Sequence, residues 1–214
     1  MTCCANTSAR SRSLTSVELS PETRREIDTL ARRFGQPLVI DSPIPDSFDD
    51  PIRKPDRYGE VCMVVRRPSG AVLLSIKTFY PRGAYRLPTG GIAPGEPIFA
   101  ALRRETHEET GLQTDVRRFL AQIAYHGEGA TIGTPLFHTF AFLLDETSGT
   151  LGALDASEQI EDWREAAVGD LPRVADFLDG LQTQGTQDIG GDWRAWGKFR
   201  AVVHRAVHQA LASA

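Results

Sequence analysis

The chain lacks most of the features that would narrow its class at a glance. It has only three cysteines, Cys3, Cys4 and Cys62, and their spacing suits neither a disulfide framework nor a metal knuckle. Cys62 sits in an apolar run and reads as a small core residue, so a reducing cytoplasm is the expected setting. No apolar run approaches the roughly 20 residues needed to span a bilayer. Residues 1–16 lack the apolar stretch of a secretory signal and read as a Ser/Thr/Arg-rich tail. A dominant charge is also missing: the formal net charge of −4 leaves no broad basic footprint for nucleic acid. Internal repeats and low-complexity runs are absent. What remains is a 214-residue chain of ordinary globular composition, long enough to bury a full core in one domain.

Hydrophobic periodicity organises that chain. Ser20 followed by Pro21 reads as a helix cap and first turn. Ile27, Leu30, Ala31 and Phe34 then recur at helical spacing, and Gly35 ends the run. This helix must pack on the chain's own core or on a second subunit. Residues 36–57, with five prolines and several Asp, read as an extended linker. Strands are expected at 61–65, 71–76, 84–87, 116–125, 136–144 and 163–168, and helices at 97–110, 170–181 and 193–211. Residues 127–134 and 183–191 read as polar, glycine-rich loops. Mixed strands with helices on both sides imply an α/β/α sandwich. The expected organisation is an N-terminal extension over 1–57, a central domain over 58–185, and a C-terminal helix within 186–214 packed on that domain.

Chemistry concentrates in residues 90–112. Gly90 and Gly91 form a glycine turn, a short helix follows, and Gly111 suits the left-handed residue that stops a helix. Successive helix residues are about 100° apart, which puts Phe99, Leu102 and Thr106 on one core-facing stripe. Glu105, Glu108 and Glu109 share the neighbouring sector at i, i+3 and i+4. Three carboxylates so close repel each other and face the negative end of the helix dipole. A hard divalent cation with oxygen ligands would reverse that penalty. The competing reading is a solvated, Glu-rich helix face.

The flanking residues favour the cation. The segment resembles the signature of the Nudix hydrolases: Gly, five residues, Glu, seven residues, Arg-Glu, an aliphatic, one residue, Glu-Glu, one residue, Gly, an aliphatic. Gly90, Glu96, Arg104, Glu105, Glu108, Glu109, Gly111 and Leu112 all fall in register. At background usage, a match at seven fixed positions arises on the order of 10⁻⁸ times per start site. Thr106 departs from the usual aliphatic, and its hydroxyl can return to the Leu102 carbonyl. Many members carry Gly or Ala where Thr89 stands, but a backbone carbonyl does not depend on the side chain.

The resemblance implies a Nudix-like α/β/α sandwich with a mixed sheet and an enzyme that hydrolyses a nucleoside diphosphate linked to another group. It implies Mg²⁺, with Mn²⁺ as a substitute, held by Glu105, Glu108 and Glu109, with the Thr89 carbonyl and Glu158 as further ligands. Arg104 would orient a box glutamate, and Glu96 would cap the helix start. The base would be a box glutamate or an outside acid, among Glu128, Glu158, Glu161 and Asp162. Tyr80, Arg82 and Arg86, with Gly90 and Gly91, would bind substrate through stacking and guanidinium contacts; ordinary loop charges are the bland alternative. The proline that marks an ADP-ribose branch is absent from Tyr125-His126-Gly127-Glu128, and so is the Ser-Gln-Pro-Trp type motif of NADH-cleaving members. Nucleotide sugars, ADP-ribose-like compounds, dinucleotides and nucleoside triphosphates stay open. Two other readings are a non-catalytic nucleotide sensor and an isoprenoid diphosphate isomerase that would need Cys62 at its site. The expected partner is a small nucleotide derivative, with no nucleic acid or membrane, and a homodimer is possible through the N-terminal helix.

Overall fold

The computed structural model describes residues 17–44, 56–127, 135–182 and 192–213 of the chain. The first helix, α1 (Pro21–Phe34), begins as its sequence signals: the Ser20 side chain accepts from the Thr23 amide and Pro21 opens the first turn. Its stripe of Ile27, Leu30 and Ala31 is buried against this chain's own sheet and second helix, so the partner it requires is supplied in cis.

Among the described residues seven strands follow: β1 (Leu38–Ile44), β2 (Gly59–Arg66), β3 (Val72–Lys77), β4 (Thr89–Ile92), β5 (Leu112–Gly127), β6 (Phe137–Gly149) and β7 (Ile160–Ala166). They form one sheet in the order β1-β5-β6-β2-β3-β7, with β4 paired to β2. The β1–β5 and β2–β6 pairs are parallel and the others antiparallel, so the sheet is mixed. Helix α2 (Ile98–Thr110) connects β4 to β5, and α3 (Leu171–Asp179) and α4 (Trp193–Ala212) follow β7.

Alternation along the strands sends side chains to opposite faces. Val61, Met63, Val65, Phe140 and Phe142 pack with α1 and α2 on one face. Cys62, Val64, Leu74 and Ala141 pack with Leu171, Leu178, Trp196, Phe199 and Val203 of α3 and α4 on the other. Apolar burial on both faces is the main driving force, and the result is the expected α/β/α sandwich.

Two local expectations need correction. Residues 38–44 are a strand, although Pro43 and the prolines flanking it suggested linker; among the described residues β1 pairs only with β5 and lies at the sheet edge, where proline is tolerated. Residues 84–87 form only an isolated bridge, Arg86 to Ser75, and the pairing strand begins at Thr89. The expected tail over 1–16, the loop at 183–191 and residues 45–55 fall outside the described residues.

Candidate functional site

Helix α2 carries the site, and its two ends are held differently. Pro97 at its N-terminus offers no capping side chain. The orphan amides of Ile98 and Phe99 instead donate to the Glu26 carboxylate of α1, each at 2.9 Å. A carboxylate there satisfies two free N–H groups and complements the positive end of the dipole. The α1–α2 contact is completed by Phe34 stacked on Phe99, with ring centroids 5.8 Å apart. At the other end Gly111 takes φ 68° and its amide returns to the His107 carbonyl. Thr106 donates to the Leu102 carbonyl at 2.6 Å, as its sequence position suggested.

Glu96 is not the cap of α2. Its carboxylate accepts from the Ala93 amide at 3.0 Å and receives both arms of the Arg104 guanidinium at 2.9 Å each. Arg104 also donates to Glu105 at 2.7 Å, Glu108 at 3.1 Å and the Gly91 carbonyl at 3.1 Å. One planar fork thus ties the glycine turn, the acid after it and two box glutamates into a unit. The pairing with Arg104 holds the Glu96 carboxyl below its usual range.

The three box glutamates differ in surroundings. Glu108 stands at the rim, its side chain 48% exposed. Glu105 is buried, and desolvation raises its pKa against the opposing pull of Arg104. Glu109 is buried more deeply, and burial pushes it up to about 8, opposed by Arg86 and Lys77 and reinforced by Glu158 and Glu105. Among the described residues Glu109 Oε2 has no hydrogen-bond partner. A buried carboxylate oxygen without a donor is costly unless it is protonated or meets a cation. The backbone leaves room for this cluster only because residue 90 is glycine: a Cβ there would lie 2.2 Å from Glu105 Cδ.

Glu158, on the turn Ala156–Glu158 before β7, is the outside acid that lies near the box. It pairs with Lys77 at 2.9 Å and raises both Glu105 and Glu109. Asp162 instead accepts from the Tyr85 hydroxyl at 2.5 Å, Glu161 is exposed, and Glu128 lies outside the described residues. Thr89 is buried, and its hydroxyl accepts from Arg86 at 3.2 Å.

Among the described residues no three His, Cys, Asp or Glu side chains are arranged as a finished metal cluster. The donor set nevertheless suits a hard cation: carboxylate oxygens clustered on one helix sector, one of them buried and without a partner among the described residues.

The expected open stacking face is not there. Arg86 is 2% exposed and donates to the Tyr80 hydroxyl, the Leu87 carbonyl and Thr89. Tyr80 packs edge-on against Phe79 and Trp193 and tilted against Trp196. Arg86 is therefore an interior residue that acts as a buried charge for Glu109, and Tyr80 is half-buried against the tryptophans. Arg82 is exposed. Gly91 lies on the Arg104 fork and against Arg57. Behind this strand, the Leu87 amide donates to His204 Nε2 of α4 at 3.0 Å. Cys62 is fully buried, and burial raises its thiol pKa, which removes the thiol that an isomerase would need.

Lys77 and Glu26 were not legible as site residues. Lys77 only follows the apolar run of β3, and Glu26 is one of several charges on an exposed helix face. Their roles come from strand register and helix docking.

A mixed sheet between helix layers, with a glutamate helix entered through a glycine turn, defines the architecture of a Nudix-type protein. A family model described as NUDIX domain matches residues 57–182, more than half of the chain, and the chain belongs to that family. A curated relative, "Nudix hydrolase 10" of Arabidopsis thaliana, is 37% identical over 81 residues, covering 38% of this chain and 28% of the relative. Two solved structures are similar at 20% identity. The E. coli ORF135 protein has a TM-score of 0.43, covering 54% of this chain and 76% of that one. A C. elegans Ap4A hydrolase has a TM-score of 0.42, covering 56% and 88%.

Proposed function

We propose that the protein is a divalent-metal-dependent pyrophosphohydrolase that cleaves the phosphoanhydride of a nucleoside diphosphate linked to a second group. The observation that carries this reading is the buried Glu109 carboxylate, whose Oε2 has no hydrogen-bond partner among the described residues, beside Glu105 and Glu108, with Arg104 fixing the latter two. Glu105, Glu108 and Glu109 would hold Mg²⁺, or Mn²⁺ in its place, with Glu158 and the Thr89 carbonyl as further oxygen ligands. When bound, the cation polarises the phosphoryl group and makes a water acidic enough to attack near neutral pH.

The remaining steps belong to the chain. Arg104 keeps Glu105 and Glu108 in place by bonding them to the same fork that grips Glu96. Burial favours the neutral form of Glu109, Lys77 and Arg86 offset part of that, and its ionisation would be complete with a cation bound. Glu158, held by Lys77 through Oε2, is the outside acid we assign to take a proton from an attacking water. Gly90 keeps the backbone close enough to Glu105 for a phosphate to approach.

We further take residues 58–185 as the catalytic unit, with 1–57 as an N-terminal extension and a C-terminal helix within 186–214 packed on the unit, and the cytoplasm as its setting. No helix among the described residues is long and apolar enough to cross a membrane. A transcription-sensor role gains no support from α4: Arg200 is buried against Glu60 at 2.7 Å, and Arg205 pairs with Asp176 and Asp179.

The test is a screen of nucleotide sugars, ADP-ribose, dinucleoside polyphosphates and nucleoside triphosphates with Mg²⁺ and with Mn²⁺. Two phosphorylated products should appear from at least one substrate and disappear on chelation. Tight binding without turnover under every metal condition would instead identify a sensor.

A further inference from the structure

The α3 side of the sheet holds a cavity that the reaction does not use. Residues of β3, β7 and α3 border a half-open groove of about 500 Å³, lined in part by Tyr85, Arg164, Arg173, Val174 and Phe177. That size lies within the roughly 300–1,000 Å³ typical of small-molecule sites. Leu74, Ala166 and Val174 form part of the apolar cluster under α3 and α4, on the opposite face from the apolar residues of α2.

The walls combine flat rings with cationic planes. The Arg164 guanidinium lies over the Tyr85 ring, 5.4 Å from its centroid. The Tyr85 hydroxyl donates to Asp162, which fixes the ring. Phe177 is 48% exposed, a large apolar ring left in solvent, and it leans on Gly83, where a Cβ would be 3.4 Å from its edge. Glu165 also borders the cavity, but its carboxylate accepts from Ser69 at 2.7 Å and pairs with Arg67 at 3.3 Å. Asp170 is paired with Arg173. Arg164 makes no ion pair or hydrogen bond among the described residues. The groove therefore presents one guanidinium without an ion pair of its own, although Asp162 feels its charge, the Tyr85 ring beneath it and a second, half-exposed ring.

We propose that this slot is a second ligand site, separate from the box glutamates, that takes a planar aromatic anion of the nucleoside-monophosphate type. The ring of the ligand stacks between Phe177 and the Arg164–Tyr85 pair, since guanidinium and aromatic faces both accept a base. Its phosphate meets Arg164, and Arg173, whose side chain is 81% exposed, can turn from Asp170 to join it. Binding needs no metal and no box residue.

Equilibrium dialysis of AMP against the full chain in a chelator tests this directly. Saturable binding is expected, and Arg164→Gln and Tyr85→Leu should each weaken it by at least about tenfold. Tyr85→Phe and Glu109→Gln should retain it. Arg164 is an exposed residue of an edge strand, so its variant keeps the fold even if Tyr85→Leu does not; circular dichroism checks both. Absence of saturable binding, equal affinity in Arg164→Gln, or loss confined to Glu109→Gln would overturn the assignment. Because the assay contains no metal and reads no turnover, its outcome is independent of whether the box hydrolyses phosphoanhydrides.

Discussion

Arg104 is where stability and site geometry meet, and its removal has a calculable cost. Arg104→Ala deletes two bonds to Glu96 and one each to Glu105, Glu108 and the Gly91 carbonyl. The Glu108 contact is at the rim and contributes little. Glu96 and Glu105 are mostly enclosed, at 18% and 12% side-chain exposure, and would lose their main countercharge. Stranding a buried ion costs about 3–5 kcal/mol. Arg104 itself is 38% exposed, so solvent screening reduces this to about 2 kcal/mol. With a urea m-value of about 2 kcal/mol per M, the unfolding midpoint should fall by about 1 M. Arg104→Lys should recover less than half, because one ammonium cannot span two carboxylates and a carbonyl as a fork does. Equilibrium unfolding in urea reads both. A midpoint unchanged in Arg104→Ala, or a lysine variant equal to wild type, would refute the hub.

Other perturbations probe separate parts of the account. Gly90→Ala places a methyl where Glu105 Cδ now sits; the carboxylate must move, and turnover should drop by about 100-fold while the circular dichroism spectrum is kept. Glu26→Ala uncaps two α2 amides and should cost about 1 kcal/mol in thermal or urea unfolding, whereas exposed Glu22→Ala should cost less. His204 is buried, which lowers its pKa to about 4. The unfolded chain then binds the extra proton first, so stability is fully present above about pH 6.5 and falls as pH drops towards 4, by up to about 3 kcal/mol. His204→Gln should flatten that slope in unfolding curves measured between pH 4 and 7.

The sequence carried the box helix well because everything that defines it is local: Gly90 before it, the 3.6-residue stripe, Gly111 after it. Helix α1 was equally plain, since Ser20, Pro21 and Gly35 mark its ends. Partners set by distant register were not readable. Glu26 reaches α2 across 72 residues, and Glu60 meets Arg200 across 140. Tyr80 and Arg86 looked like an open binding segment because aromatics and arginines in a loop usually face solvent. Here Trp193 and Trp196 of α4, far along the chain, cover Tyr80 and turn the segment inward. The strand at Leu38–Ile44 was hidden by its proline, which an edge position permits. The glutamate cluster was legible as spacing, but the unequal burial of Glu105, Glu108 and Glu109 depends on how α2 docks on the sheet.

The central claim is that these glutamates hold a cation for phosphoanhydride hydrolysis. The most direct measurement compares product release by wild type, Glu108→Gln and Glu109→Gln at saturating Mg²⁺ or Mn²⁺, on the best substrate from the screen. Metal-dependent turnover in wild type, with a loss of 100-fold or more in Glu109→Gln on the order seen when a positioned catalytic group is removed, is the predicted result. Full activity in both variants, or hydrolysis indifferent to chelation, would contradict the account.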